Sequence, residues 1–263
     1  MKHVLVTGAY GGMGRQAVQL LVEKGYTVFA LDKKVGESQD GVIPVLADVT
    51  DANSVQNALK TVKEHIKSLF AIVHFAGIYT LNSLVEMSEE EFDKAFKINL
   101  YGAFIVNKIF LPILEKGSKI VITTSELAPL DPLPFTGIYA ITKKALDAYA
   151  YSLKMELQLL DISVSVIRAG AVSTGMLGVS TTALDKFCNS TEHYKFNARR
   201  FKKVVDSVES KCVPPIKIAK KALKIASAKK PKFAYNVNRN KLLILLNILP
   251  KSLRFKIIKS ILK

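Results

Sequence analysis

The feature that most constrains the fold is a junction near the start of the chain. A short apolar run, His3-Val4-Leu5-Val6-Thr7, meets a glycine cluster at Gly8, Gly11, Gly12 and Gly14, and an amphipathic stretch follows to about Lys24. The unbroken run suits a short buried strand, and the 3–4 residue spacing of apolar residues after it suits a helix. Glycines at the turn leave the first N–H groups of that helix free to face an anion.

The rest of the chain repeats this alternation. Gly25 stops the first helix, and strands are expected over 26–32, 43–47, 69–75, 118–124 and 162–168. Helices are expected over 51–67, 88–98, 100–116 and 137–160; in the first of these Asp51 supplies a cap, and Val55, Leu59, Val62 and Ile66 form the apolar face. Strands and helices in that order predict an α/β fold, a doubly wound parallel sheet covered on both faces. From 169 to 215 the pattern lapses into a partly helical insert, of a length that suits a lid over a substrate. Pro214-Pro215 precedes a helix over 216–229 and a last strand over 232–237. The organisation expected is one domain over 1–237 and a basic amphipathic extension over 238–263.

Charge divides the chain unevenly. Residues 1–199 carry 20 Lys and Arg against 20 Asp and Glu, whereas 200–263 carry 18 against Asp206 and Glu209, so the whole net charge of +16 lies in the last quarter. The N-terminal run leads straight into a strand with no leader-like apolar stretch. Cys188 and Cys212 form neither a metal spacing nor a disulfide framework, which favours a reducing cytoplasm. His3, His65, His74 and His193 are scattered, so no metal site is expected.

The loop reads Gly8-x-x-x-Gly12-x-Gly14, with Tyr10 and Met13 inside it, a residue or so wider than the commoner dinucleotide loop. Asp32 ends the second strand, where a carboxylate can accept hydrogen bonds from a ribose and repel a 2′-phosphate. That favours NAD; Lys33 and Lys34 beside it leave NADP open. Asp48 follows the third strand, either beside the adenine or as the cap of a turn.

Tyr139 and Lys143 stand one helical turn apart, 14 residues after Ser125. Nine Tyr and 32 Lys in 263 residues would produce about one Tyr-x-x-x-Lys by chance, so the context carries the signal. A phenol, with a pKa of about 10, is too weakly acidic to serve as a base near neutrality. An ammonium on the same helix face and a positive nicotinamide would both stabilise phenolate.

With the glycine loop and Tyr-x-x-x-Lys both in these settings, the chain resembles the short-chain dehydrogenase/reductase family. Further matches are Ala76-Gly77, Asn99 in Lys-Ile-Asn-Leu, Thr123-Thr124-Ser125, and Arg168-Ala169-Gly170 with Thr174. The likeness covers residues 1–175 closely and implies a Rossmann-type fold and an NAD(P)-dependent oxidoreductase. It implies that Tyr139 exchanges a proton with the substrate oxygen, Lys143 lowers the Tyr139 pKa and holds the nicotinamide ribose, Ser125 orients the substrate and Asn99 supports a proton relay. Cofactor contacts are implied at Val49, Ala76, Gly77, Val172 and Thr174. Phe75 and Ala169 depart from the family's usual Asn and Pro, which predicts weaker polar anchoring of one loop and a looser turn at the other.

Residues 127–135, stiffened by three prolines, and the stretch beginning Gly175-Met176-Leu177 should flank the substrate, with Leu127, Leu133 and Met176 in contact alongside Ser125 and Tyr139. An apolar slot with few charges suits a lipophilic secondary alcohol or ketone, and the likeness leans to the hydroxysteroid and retinol dehydrogenase branch, hence a steroid-, bile-acid- or retinoid-like substrate. The apolar run 242–249 is too short to span a bilayer and is broken by Pro250. The extension is read either as an interfacial helix on an anionic membrane or as a helix packed on the sheet or a partner subunit. A homodimer or homotetramer is implied by the family. A cofactor sensor would have no need of the Tyr, Lys and Ser set, and the tail has no recognisable nucleic-acid-binding motif, so no specific nucleic acid is expected.

Overall fold

The computed structural model describes residues 2–263, with the side chains of 176–181 outside that description. Its strands are β1 (Lys2–Thr7), β2 (Tyr26–Asp32), β3 (Val42–Leu46), β4 (Leu69–His74), β5 (Leu114–Ser125), β6 (Ser163–Ala169) and β7 (Ala234–Val237). They form one parallel sheet in the order β3-β2-β1-β4-β5-β6-β7. The order reverses between β1 and β4, and the crevice at the carboxyl ends of strands at such a reversal is where ligands sit. The Rossmann-type doubly wound sheet is therefore present.

Burial on both faces explains the continuous apolar strands. Val4 and Val6 turn to one side with Val28, Ala30 and Val73, under α1 (Gly12–Glu23) and α8 (Ile216–Ser227). Leu5, Phe29, Leu31 and Ile72 turn to the other, under α2 (Ala52–His65) and the helix that follows β4. That helix joins two expected pieces: α3 (Glu89–Phe96), a π-helical turn (Lys97–Tyr101), α4 (Gly102–Phe110) and a 3₁₀ turn (Leu111–Ile113). Its length and apolarity would suit a membrane span, but Ile105, Val106 and Phe110 are buried against the sheet.

The helix expected to reach residue 116 ends at Ile113, and β5 begins at Leu114 rather than 118. Pro112 has no N–H to give the last turn, and Gly117 adopts φ +87°. Ser118 Oγ then accepts from the Glu115 N–H at 3.0 Å and donates to the Leu69 carbonyl at 2.8 Å, which bridges a register irregularity between β4 and β5. Other element ends lie within a few residues of expectation.

The insert forms α6 (Gly175–Ser190) and α7 (Lys195–Glu209). Leu184, Phe187, Ala198, Phe201 and Val205 pack around Leu81 and Phe135. The extension forms α9 (Lys241–Ile248) and α10 (Lys251–Leu262) and folds back on the domain. Arg254 pairs with Asp131 and donates to the carbonyls of Asn247 and Leu249, each at 3.1 Å. Asn247 Oδ1 accepts from the Asp131 N–H at 2.9 Å, and Leu262 joins the cluster around Phe201.

Candidate active site

Two adjoining hollows lie at the carboxyl ends of the strands. The larger, about 910 Å³, is a groove lined by Gly8, Tyr10, Gly12, Met13, Gly14, Asp32, Asp48, Val49, Ala76, Gly77 and Thr174. The smaller, about 160 Å³, is lined by Ser125, Leu127, Leu133, Tyr139, Lys143 and Val172 among others. Met13, Phe75, Gly77, Ile78 and Thr174 line both, so the hollows meet.

The glycine loop is shaped by close approaches. Gly8 adopts φ +65°, and a Cβ there would fall 2.6 Å from the Ala76 nitrogen; one on Gly14 would fall 2.1 Å from the Gly8 carbonyl oxygen. A Cβ on Gly12 would meet Thr174 at 2.7 Å. The loop thus packs against β4 on one side and the start of α6 on the other. Asp32 holds it open: Oδ2 accepts from the Tyr10 N–H at 3.0 Å and Oδ1 from the Lys33 N–H at 2.8 Å. The Tyr10 hydroxyl is buried without a hydrogen-bond partner among the described residues. Asp48 caps its own turn, accepting from the Thr50 N–H at 2.8 Å and the Thr50 hydroxyl at 2.7 Å, bonds that hold its carboxyl below the usual range.

Phe75 keeps its loop anchored without the family's side-chain amide. Its N–H donates to the Thr7 carbonyl at 3.0 Å and its ring is buried in the core. Ala169 does not loosen the turn after β6, because its carbonyl accepts from the Glu126 N–H at 2.9 Å and the Gly170 N–H bonds Val237 at 2.9 Å.

Tyr139 and Lys143 lie on α5 (Gly137–Leu157), which Asp147 straps to the sheet. Arg168 on β6 donates Nε and Nη2 to the two Asp147 oxygens at 3.0 and 2.7 Å, and the Thr124 hydroxyl adds a third bond at 3.0 Å. Thr124 is thereby occupied, and Ser125 is the hydroxyl close enough to Tyr139 to favour its phenolate. Ser125 Oγ also accepts from the Leu127 N–H at 3.2 Å. The Tyr139 ring meets Tyr79 edge-on at 4.6 Å, and Lys143 Nζ lies 5.9 Å from its centroid. Burial pushes the Tyr139 phenol up to about 12; the Ser125 hydroxyl draws it down, and the Glu126 charge opposes ionisation. Burial pulls the Lys143 ammonium down to about 8.

Asn99 lines neither hollow and instead sits in the π-helical turn behind them. Its Oδ1 accepts from the Ile78 N–H at 2.8 Å, while Nδ2 donates to the Ile78 carbonyl at 3.0 Å and to Thr142 Oγ1 at 3.1 Å. A Cβ on Gly77 would lie 3.2 Å from Asn99 Oδ1 and 3.4 Å from Lys143 Nζ, so this glycine keeps the floor open beside both.

The sequence model of the short chain dehydrogenases matches residues 2–185. The chain belongs to the short-chain dehydrogenase family. It is 26% identical over 235 residues to a 3-ketodihydrosphingosine reductase of Bacteroides thetaiotaomicron, covering 89% of this chain and 87% of the relative. It is 32% identical over 191 residues to estradiol 17-beta-dehydrogenase 2 of Mus musculus, covering 67% of this chain and 50% of that one. A solved short chain dehydrogenase family protein from Francisella tularensis superposes with a TM-score of 0.75 at 23% identity, over 90% of this chain and 97% of its own, which shows the fold. Membership makes the protein an NAD(P)-dependent oxidoreductase.

In this short-chain dehydrogenase several pocket residues escape sequence reasoning. Tyr79, Glu126, Phe201, Val205, Val208, Glu209 and Leu243 also line the smaller hollow. Glu126 stands next to Ser125 and could have been found; α7 and α9 arrive only through tertiary packing. Glu126 and Glu209 are the two carboxylates on this otherwise apolar wall, in keeping with a slot of few charges. Met176 lies outside the described side chains.

Proposed function

We propose that this short-chain dehydrogenase interconverts a lipophilic secondary alcohol and its ketone, with Tyr139 as the acid/base and NAD as the preferred cofactor. The observation that carries the reading is the meeting of Ser125, Tyr139 and Lys143 at the wall of an apolar cavity that opens onto a glycine-lined groove.

The groove fits a dinucleotide on its own terms. Any side chain at Gly8, Gly12 or Gly14 would fill space the loop uses, and the Tyr10 hydroxyl is a donor that a ribose or phosphate oxygen would satisfy. Gly8, Tyr10, Gly12, Met13 and Gly14 would hold the pyrophosphate, and Asp32 the ribose; Asp48 and Val49 would border the adenine. Ala76, Gly77, Val172 and Thr174 would border the nicotinamide, with Lys143 on its ribose. Each Asp32 oxygen keeps a lone pair after its backbone bond, so the carboxylate can accept from ribose hydroxyls and repel a 2′-phosphate. When bound, the nicotinamide takes or gives the hydride.

Ser125 orients the substrate oxygen and Tyr139 takes or returns its proton. A buried phenol held near 12 with Lys143 beside it stays protonated at neutral pH, so phenolate requires positive charge beyond that ammonium, which a bound oxidised nicotinamide would supply. Asn99 fixes the Ile78 backbone and borders the route by which the Tyr139 proton reaches solvent.

The apolar walls from Leu127, Leu133, Phe201, Val205, Val208 and Leu243 favour a lipophilic ligand, which agrees with relatives whose names specify ketodihydrosphingosine and estradiol. A steroid-, bile-acid- or retinoid-like molecule exceeds the 160 Å³ now present, so residues 169–215 would act as a movable lid through α7. NAD reduction across a panel of long-chain, steroid, bile-acid and retinoid alcohols tests the reading. Turnover only of small carbonyl compounds would contradict it.

Two surfaces follow. Leu242, Leu245, Ile248 and Phe255 stand exposed on the extension among Lys241, Lys251, Lys256 and Lys259. Apolar residues fringed by cations fit an anionic membrane surface, from which a lipophilic substrate would enter beside Leu243. The exposed aromatics Phe92, Phe104 and Tyr151 on α3, α4 and α5 suit a partner copy.

A further inference from the structure

We propose that a further hollow, lined by Lys211, Arg239 and Lys241, holds an anionic group at the far end of a lipophilic substrate, a carboxylate, sulfate or phosphate remote from the reacting carbon. The inference rests on reading the hollow beside Ser125 and Tyr139 as the substrate site.

This hollow measures about 340 Å³. Ser207 and Val208 reach it from α7, Ala171 from the turn after β6, and Arg239, Asn240 and Lys241 from the junction of β7 with α9. Glu126, Ala171 and Val208 also line the substrate hollow, so the two adjoin. None of its lining residues borders the glycine-lined groove, so its cations are not placed for the phosphates of a dinucleotide.

Hydrogen bonds between distant segments hold the frame. Asn238 adopts φ +58°, a left-handed conformation that asparagine tolerates better than most residues. From there its Nδ2 donates to the Ala171 carbonyl at 2.9 Å and to the Lys211 carbonyl at 3.1 Å. The Asn240 N–H donates to Glu126 Oε2. A Cβ on Gly170 would fall 1.9 Å from the Asn238 carbonyl oxygen, so only glycine lets these segments meet. The result is that three cations from separate parts of the chain share one rim.

Charge and continuity select the ligand. The three cations face Glu126, the one carboxylate among the described residues of this hollow. None of the three forms an ion pair with a described residue. Like charges gathered around one hollow repel, and an anion between them removes that repulsion. The adjoining slot is walled by Leu127, Leu133, Val205 and Val208. An anion that reaches the cations while its other end meets Tyr139 must therefore be carried on an apolar body.

The test measures NAD reduction by 3-hydroxycholanoate and its methyl ester, and by a long-chain (ω−1)-hydroxy acid and its methyl ester, in vesicle-free buffer. It uses the wild type and a double variant, Lys211→Gln with Arg239→Gln. In at least one pair the kcat/KM ratio of acid to ester should be about tenfold or more in the wild type and close to one in the variant. Added salt should lower the wild-type ratio. Wild-type ratios near one, with acids and esters oxidised, overturn the inference and leave the oxidoreductase reading intact. A preference equal in both proteins also overturns it; if the variant then no longer floats with anionic vesicles, the cations read a lipid headgroup instead. If no compound is oxidised, the substrate reading fails, and calorimetry of dodecanoate on the NADH-loaded proteins decides the contact. Binding weakened about tenfold by the double substitution supports the inference; equal affinities, or no binding to either protein, refute it.

Discussion

Lys143 Nζ donates to the Thr123 carbonyl at 3.2 Å, tying the helix that carries Tyr139 to the strand that carries Ser125. The bond fixes a buried ammonium near the phenol, and burial holds that ammonium at about 8, so it remains mostly charged at neutral pH. Lys143→Met should raise the pH at which alcohol oxidation reaches its plateau by about one unit or more and lower kcat roughly a hundredfold. A full pH–rate profile checks this; an unmoved profile would remove Lys143 from the account of proton transfer.

Asp32 serves two neighbours at once, the Tyr10 and Lys33 N–H groups. Asp32→Asn deletes the charge that repels a 2′-phosphate, while its single amide oxygen keeps an acceptor for one of the two N–H groups. The NADP to NAD ratio in kcat/KM should rise by about tenfold. An unchanged ratio would place cofactor choice elsewhere, with Lys33 and Lys34 the next positions to vary.

His74 lies buried at the end of β4, with Nδ1 facing the Thr7 hydroxyl at 3.4 Å and Nε2 facing Asn107 Oδ1 at 2.8 Å. Burial lowers its pKa from 6.5 to about 4. The unfolded chain therefore takes up a proton through 6.5 while the folded chain resists until about 4, and stability falls as pH drops across that window. The loss by pH 4 should be on the order of 3 kcal/mol. Denaturant midpoints of the wild type and His74→Gln, compared at pH 7 and 4.5, isolate the contribution; equal acid sensitivity would assign the effect to other groups.

The exposed faces of α9 and α10 should carry the protein to anionic vesicles and leave it free of zwitterionic ones, with binding lost as salt rises. Replacing Leu245 and Ile248, 60% and 74% exposed, by Glu should abolish flotation without unfolding the domain. Flotation that survives this change would mean the extension only packs on its own domain.

Much of this was legible in the sequence because the signals are local. The glycine loop, Asp32 and the Tyr139–Lys143 pair each follow from which element a residue sits on, and the apolar runs place those elements. The π-helical turn at Asn99 was not legible, since it inserts a residue into a helix whose composition is ordinary. Nor was the pocket wall from α7 and Leu243, because it depends on how Arg254 and Asn247 dock the extension on Asp131. Phe135 shows the same limit: its φ of +61° is held by packing on Phe187, Tyr194 and Phe201, all more than fifty residues away.

The most direct test of the central claim is hydride transfer by Tyr139→Phe, measured beside NADH binding to the same protein. Removing only the hydroxyl should cut NAD reduction by a long-chain alcohol by at least about a thousandfold while NADH binds with affinity within a few-fold of wild type. Retained turnover would contradict Tyr139 as the acid/base, whatever the substrate proves to be.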